Sequence, residues 1–143
     1  MYAIDCEATV TGTVDSVWET WTDMLSYPEW DPREEAIRMD GPFAAGATGW
    51  SKQVGPRPGS PFKILRVEPK TRWTDEAPLP GGKLVIDHLL TDRGDGTVHL
   101  VKRYEVSGPM QLAFRTIFAR GIRREAPDTF AALEAEAARR AAA

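Results

Sequence analysis

Residues 97–122, TVHLVKRYEVSGPMQLAFRTIFARGI, change period at their midpoint. Up to Ser107 the side chains alternate. Val98, Leu100, Lys102, Tyr104 and Val106 form one set; His99, Val101, Arg103, Glu105 and Ser107 form the other. A period of two is that of a β-strand with one face turned to a core. Gly108-Pro109 ends the strand, because Pro has no N–H for the ladder and Gly tolerates a turn. From Met110 the apolar residues Phe114, Phe118, Ile122, Phe130, Leu133 and Ala137 recur at helical spacing to the end of the chain. Gly121 costs this helix about 1 kcal/mol relative to Ala. Pro127 is expected to kink or divide it, and Arg139 and Arg140 suit the dipole at its end.

Upstream of this segment, candidate strands run Glu35–Asp40, Thr48–Gln53, Pro61–Glu68, Thr71–Ala77 and Lys83–Thr91, with Thr97–Ser107 the last of six. Gly- and Pro-rich turns separate them, such as Pro69-Lys70, Pro80-Gly81-Gly82 and Asp95-Gly96. Connections this short leave no room for crossover helices, so the sheet is antiparallel. At the front, Tyr2–Gly12 alternates, with Ile4, Cys6, Ala8 and Val10 on one face. The period then turns helical through Val14, Val17, Trp18, Trp21 and Leu25, with Thr13 placed to cap the first orphan N–H groups. A short turn holds Tyr27–Trp30; Pro28 fits its start and Pro32 stops it. The order is strand, two short helices, six strands, long helix, all in one domain over residues 1–143. One helix cannot cover a flat seven-stranded sheet. The sheet must curl around it, which leaves a space suited to an apolar ligand.

Composition removes several classes of function. The chain has 143 residues, a formal net charge of −3 and one cysteine. Cys6 has no partner for a disulfide, and Cys6, His88 and His99 have no zinc spacing. The net charge gives no reason to expect nucleic acid. No apolar run approaches the roughly 20 residues of a membrane span, and no secretory signal is visible, so a cytoplasmic location is expected. Residues 55–61 lack the Lys-Ser/Thr ending of a phosphate loop, and no Gly-x-Ser-x-Gly elbow occurs. Asp92–Gly96 reads as a hairpin turn. Arg120, Arg123 and Arg124 read as a solvated face balanced by Glu125 and Asp128. Neither a metal nor a cofactor is expected.

Val17-Trp18, Asp23 and Tyr27-Pro28-Glu29-Trp30-Asp31-Pro32 resemble the opening signature of the SRPBCC superfamily, in its polyketide cyclase/dehydrase-like, START-related branch. Gly41-Pro42-Phe43 with Gly46 and Gly49, Val67-Glu68-Pro69, the Gly96-Thr97 turn and Tyr104–Pro109 continue the resemblance across nearly the whole chain. It implies a helix-grip fold with an internal cavity for hydrophobic molecules. It does not imply one reaction, since a fold hosts many functions.

On that fold the alternation turns His88, Lys102 and Tyr104 inward from two neighbouring strands, with Trp73 and Asp75 inward from a third. Asp75 is a candidate partner for Lys102. Together with Trp50, Leu100, Phe118 and Ile122, these residues are the expected lining of a ligand site. A β-bulge in either strand of the hairpin would invert its faces. His88 is the candidate acid/base, because an imidazole titrates near neutrality. Trp18, Trp21 and Trp30 are read as packing residues. The leading expectation is binding or transport of a small hydrophobic or aromatic molecule. The alternatives are a polyketide cyclase or aromatase activity, and an interaction module with a filled interior and no ligand.

Overall fold

A computed structural model describes residues 1–143. Strand β1 (Tyr2–Thr11) leads into helix α1 (Val14–Thr22). Thr13 caps α1 as its sequence suggests, its Oγ1 accepting the Ser16 N–H at 3.1 Å. A 3₁₀ turn (Met24–Ser26) and helix α2 (Tyr27–Trp30) follow, with Pro28 in the first turn of α2. Because α1 stops at Thr22, Leu25 leaves the apolar stripe expected of it and is 60% exposed, while Met24 takes the buried position.

Strands β2 (Glu34–Met39), β3 (Thr48–Gln53), β4 (Ser60–Glu68), β5 (Arg72–Leu79), β6 (Gly82–Asp92) and β7 (Thr97–Ser107) complete a seven-stranded antiparallel sheet. Its order is β1-β7-β6-β5-β4-β3-β2, so each strand after β2 pairs with its predecessor and β1 closes against β7. The β6–β7 register is unbroken from Lys83↔Ser107 to Asp92↔Val98. Bulges occur instead in β2, between Glu34 and Ala36, and in β4, between Ile64 and Arg66. The second leaves Leu65 40% exposed without inverting Val67, which pairs with Trp73. Gly49 has a steric role: a Cβ there would lie 2.4 Å from both the Phe62 ring and the Arg38 carbonyl, so only glycine lets Phe62 cross β3.

The C-terminal segment comprises α3 (Gln111–Ala113), a π segment (Phe114–Phe118) and α4 (Ala119–Ala142). In the π segment the Ala119 N–H bonds the Phe114 carbonyl, the i→i+5 pattern that marks irregular, often functional turns. Pro127 does not divide α4, which runs through it. Pro127 and its neighbour Asp128 are exposed, so the carbonyl deprived of its partner can turn to water. The second half of α4 packs on α1 and β1, burying Phe130, Leu133 and Ala137 with Val10, Val17 and Val98. Polar ties fix that half: Ser16 Oγ donates to the Ala137 carbonyl at 2.7 Å, and Arg140 pairs with Asp23 at 3.0 Å. The first half is less tightly buried; Phe118 and Ile122 are only half-buried.

Candidate functional site

Strand register builds the site. Cys6, Lys102, His88, Trp73 and Val67 pair in one rung across β1, β7, β6, β5 and β4. Ile4, Tyr104, Ile86, Asp75 and Ile64 pair in the next. Paired residues on one rung share a face, and this face carries the buried Ile4, Ile64 and Leu100 of the core. His88, Lys102, Tyr104, Trp73 and Asp75 are thus brought together on the inner side of the sheet.

His88 is held tightly. Its ring stacks on Trp73 at 3.5 Å between centroids and 3° between planes, and Trp21 closes on it edge-first at 5.0 Å. Nδ1 lies 3.1 Å from the Trp73 carbonyl; the proton belongs on Nδ1, because a carbonyl only accepts. Burial, and secondarily the Lys102 cation, pushes the imidazole well below its usual titration range, against the pull of that hydrogen bond. The ring is therefore neutral near pH 7. Phe43 packs on the Trp73 ring at 5.3 Å.

Lys102 is the unusual group. It is half-buried on the inner face of the sheet, in the rung of Cys6 and His88. Its Nζ lies 5.3 Å from the centre of the Tyr104 ring, and it is absent from every ion pair of the protein. Burial opposes its charge, but Tyr104, Asp31 and Glu34 outweigh that and raise its proton affinity above the ordinary lysine range. Lys102 is a fixed cation and hydrogen-bond donor, not a neutral amine nucleophile.

Three carboxylates face this cation. Asp75 is 9% exposed, and burial, partly offset by Lys102, pushes it up to about 7. Burial likewise raises Glu34 to about 7, with Lys102 opposing and Asp31 adding repulsion. Burial raises Asp31 as well, although its Oδ1 accepts the Arg33 N–H at 2.9 Å. These acids do not converge as a trio able to hold a metal ion. Glu34 Oε2, Asp75 Oδ1, Trp73 Nε1 and Arg33 Nε are buried with no hydrogen-bond partner. Each such group costs about 1–3 kcal/mol, so four in one protein call for an explanation such as a ligand or bound water.

The alternation of β5, β6 and β7 is enough to place Asp75, His88, Lys102 and Tyr104 on the inner face. Glu34 is missed because continuing the alternation of Met39 and Ile37 points Glu35 inward, whereas the β2 bulge turns Glu34 in and leaves Glu35 outside, 2.9 Å from Lys52. Asp31 lies at the end of α2, where no period marks it. Trp50 is not brought to the site. It pairs with Arg38 and Pro61 on the outer face, under the Arg38 guanidinium at 4.8 Å. Its ring fills the space over Gly59, where a Cβ would meet it at 2.1 Å. Leu100 is fully buried in the core one rung from Lys102. Phe118 and Ile122 pack at the edge of the core from the long helix, with the Arg57 guanidinium of the β3–β4 loop over the Phe118 ring at 4.5 Å.

Two clefts bear on the site. One of about 400 Å³ lies over the outward-facing Thr48, Lys63, Glu76 and Lys83, away from the interior cluster. The other, of about 160 Å³, lies between Thr22–Leu25 and Met39, Gly41, Pro42 and Phe43. Since Phe43 packs on Trp73, this hollow reaches toward the stacked pair.

The model of a family described as polyketide cyclase/dehydrase and lipid transport matches residues 1–138. The chain belongs to this family. A comparison with curated protein sequences finds no significant match. Among solved structures, the Zhui aromatase/cyclase of Streptomyces matches with a TM-score of 0.81 at 15% identity, over 98% of this chain and 95% of that one. A hypothetical protein of Helicobacter pylori matches with a TM-score of 0.78 at 13% identity, over 95% and 88%. A norcoclaurine synthase of Thalictrum, a point mutant with a transition-state analogue, matches with a TM-score of 0.69 at 16% identity, over 94% of both chains. At these identities the likeness shows the fold: the open sheet and long C-terminal helix of this polyketide cyclase/dehydrase family member are the helix-grip architecture. The reaction, if any, is a question for the site.

Proposed function

We propose that the protein binds a small hydrophobic or aromatic molecule between sheet and long helix, and that Lys102 donates a hydrogen bond to a carbonyl or hydroxyl of that molecule. The observation that carries this reading is Lys102 itself: a half-buried cation on the inner face that makes no direct ion pair, set beside Tyr104 and His88 with Asp31, Glu34 and Asp75 within electrostatic reach. A lysine ammonium carries three N–H donors, and a ligand oxygen can accept one of them here. The family description and the aromatase/cyclase neighbour support the same class of ligand.

The open hollow of about 160 Å³ is below the roughly 300–1,000 Å³ of typical small-molecule pockets. A ligand of that size needs this hollow to widen, and Phe43, packed on Trp73, borders it. Catalysis of the aromatase/cyclase type is a second reading, favoured by Asp75 and Glu34. Two carboxyls titrating near neutrality beside a fixed cation can take and return protons while Lys102 stabilises a developing enolate. His88, stacked on Trp73 and bonded to its carbonyl, is then a positioning group and not the base.

Titration with an environment-sensitive apolar fluorophore tests the binding reading. Saturable binding at micromolar concentration is expected, weakened by Phe118→Ala. For an aromatic ketone, Lys102→Met is expected to weaken binding roughly tenfold, the loss of one charge-assisted hydrogen bond. Absence of saturable binding to the folded protein would leave the interaction-module reading in its place.

A further inference from the structure

The first part of the C-terminal segment has an outer face unlike the rest of the molecule. Between Gln111 and Arg124 there are four arginines and no acidic residue, in a chain of net charge −3. Arg115, Arg120, Arg123 and Arg124 are all exposed. The balance expected from Glu125 and Asp128 is not made: Glu125 pairs with Arg33 at 3.2 Å, and Arg115 stacks on the Tyr2 ring at 5.3 Å. Arg120, Arg123 and Arg124 belong to none of the ion pairs formed elsewhere on α4, which are those of Glu136, Arg139 and Arg140.

Two large apolar side chains stand among these cations. Leu112 is 68% exposed and Ile117 67% exposed. They are five residues apart, Leu112 in α3 and Ile117 within the π segment. Leu112 and Ile117 are thus exposed on the same short stretch of helix as the arginines.

We propose that this face docks the protein on an anionic lipid surface, with Leu112 and Ile117 entering the interface and the arginines meeting lipid phosphates. Exposed apolar side chains beside a basic cluster supply the two contributions that hold a protein at a membrane interface, apolar area buried and attraction to anionic lipid. Charge complementarity also sets the orientation: a molecule negative overall presents its one basic helical face and turns its remaining surface away. Phe118, on the inner side of the same segment beneath Arg57, then lies close to the bilayer. The proposal does not depend on what the interior binds.

Co-sedimentation with vesicles tests it. The full chain is expected to sediment with phosphatidylcholine–phosphatidylglycerol vesicles, to lose that binding as salt rises, and to ignore pure phosphatidylcholine. The double variants Leu112→Ser/Ile117→Ser and Arg120→Glu/Arg124→Glu should each weaken binding about tenfold or more. These positions are exposed, so both variants should keep the thermal unfolding midpoint and the fluorophore binding measured without vesicles. Those two controls separate failure of this proposal from failure of the interior-binding reading. Lack of binding to the anionic vesicles, equal binding to neutral ones, or binding that survives both variants overturns it. In the first case an acidic protein surface becomes the matching partner.

Discussion

Asp75 and Asp87 sit on neighbouring strands, on opposite faces of one sheet, and are buried to nearly the same degree, at 9% and 6% exposure. Their chemistry diverges completely. Asp87 receives Arg72 Nε at 2.8 Å, Arg72 Nη2 at 2.5 Å and Thr74 Oγ1 at 2.5 Å. Although burial is the largest influence on it, these donors win and hold its carboxyl below the usual range. Asp75 has no such donors, one oxygen is orphaned, and burial drives it to about 7. Burial alone does not set the charge of an acid; the donors within reach do. The sheet thus satisfies its buried aspartate on the outer face and leaves the one on the inner face, near Lys102, with hydrogen-bonding capacity that a ligand can use.

The largest test of this contrast is Asp87→Ala. It strands Arg72 and Thr74 without an acceptor and should destabilise the fold by about 2–3 kcal/mol in denaturant titration, with fluorophore binding intact in the folded fraction. Equal damage from Asp75→Ala would erase the distinction between the faces.

The pH dependence of stability sharpens it. Asp75 and Glu34 have folded values of about 7 against 3.8 and 4.5 for the free groups. Between about pH 4 and 7 the unfolded chain is ionised at these groups while the folded chain holds their protons. They therefore favour folding at low pH, and that contribution is lost as pH rises through the folded values. His88 acts in the opposite sense: its depressed value favours folding above 6.5, and that contribution is lost as pH falls. Asp75→Asn should flatten the decline toward neutral pH by an amount on the order of 2 kcal/mol. An unchanged pH profile of the unfolding midpoint would show that Asp75 is not the titrating group.

Lys102→Met is expected to destabilise the fold by about 1–2 kcal/mol, because Tyr104, Asp31 and Glu34 favour the charge it removes. The smallest effect belongs to Trp50→Ala. It removes the Arg38 contact, worth about 0.5–1 kcal/mol, and should leave fluorophore affinity unchanged, since the ring lies on the outer face.

The sequence made the strands legible wherever the alternation runs unbroken. β6 and β7 show this best: polar His88, Lys102 and Tyr104 could be assigned to the inner face because no bulge intervenes from Lys83 to Ser107. The helical stripe through Phe130, Leu133 and Ala137 was equally plain. Trp50 and Glu34 were not legible for a common reason. Each lies on a short strand of six residues near a sheet edge, where alternation carries few votes and a single bulge reverses them. The π segment left no mark in the periodicity, because Phe114, Phe118 and Ile122 keep an α-helical spacing of four across it. Pro127 did signal a break, but an exposed proline costs one hydrogen bond and α4 absorbed it.

Cys6 adds a measure of time to this description. It is the only thiol in the chain, lies 6% exposed on the Lys102 rung, and its deprotonation is suppressed chiefly by burial. A thiol reagent can reach it only when sheet and long helix part, or when β1 peels from β7. The rate of its modification is therefore a clock for those openings. At low reagent concentration the rate follows the fraction of molecules open; at high concentration it saturates at the opening rate itself. A ligand seated beside Lys102 should slow the clock, and one bound only on the outer face should leave it running at the same pace.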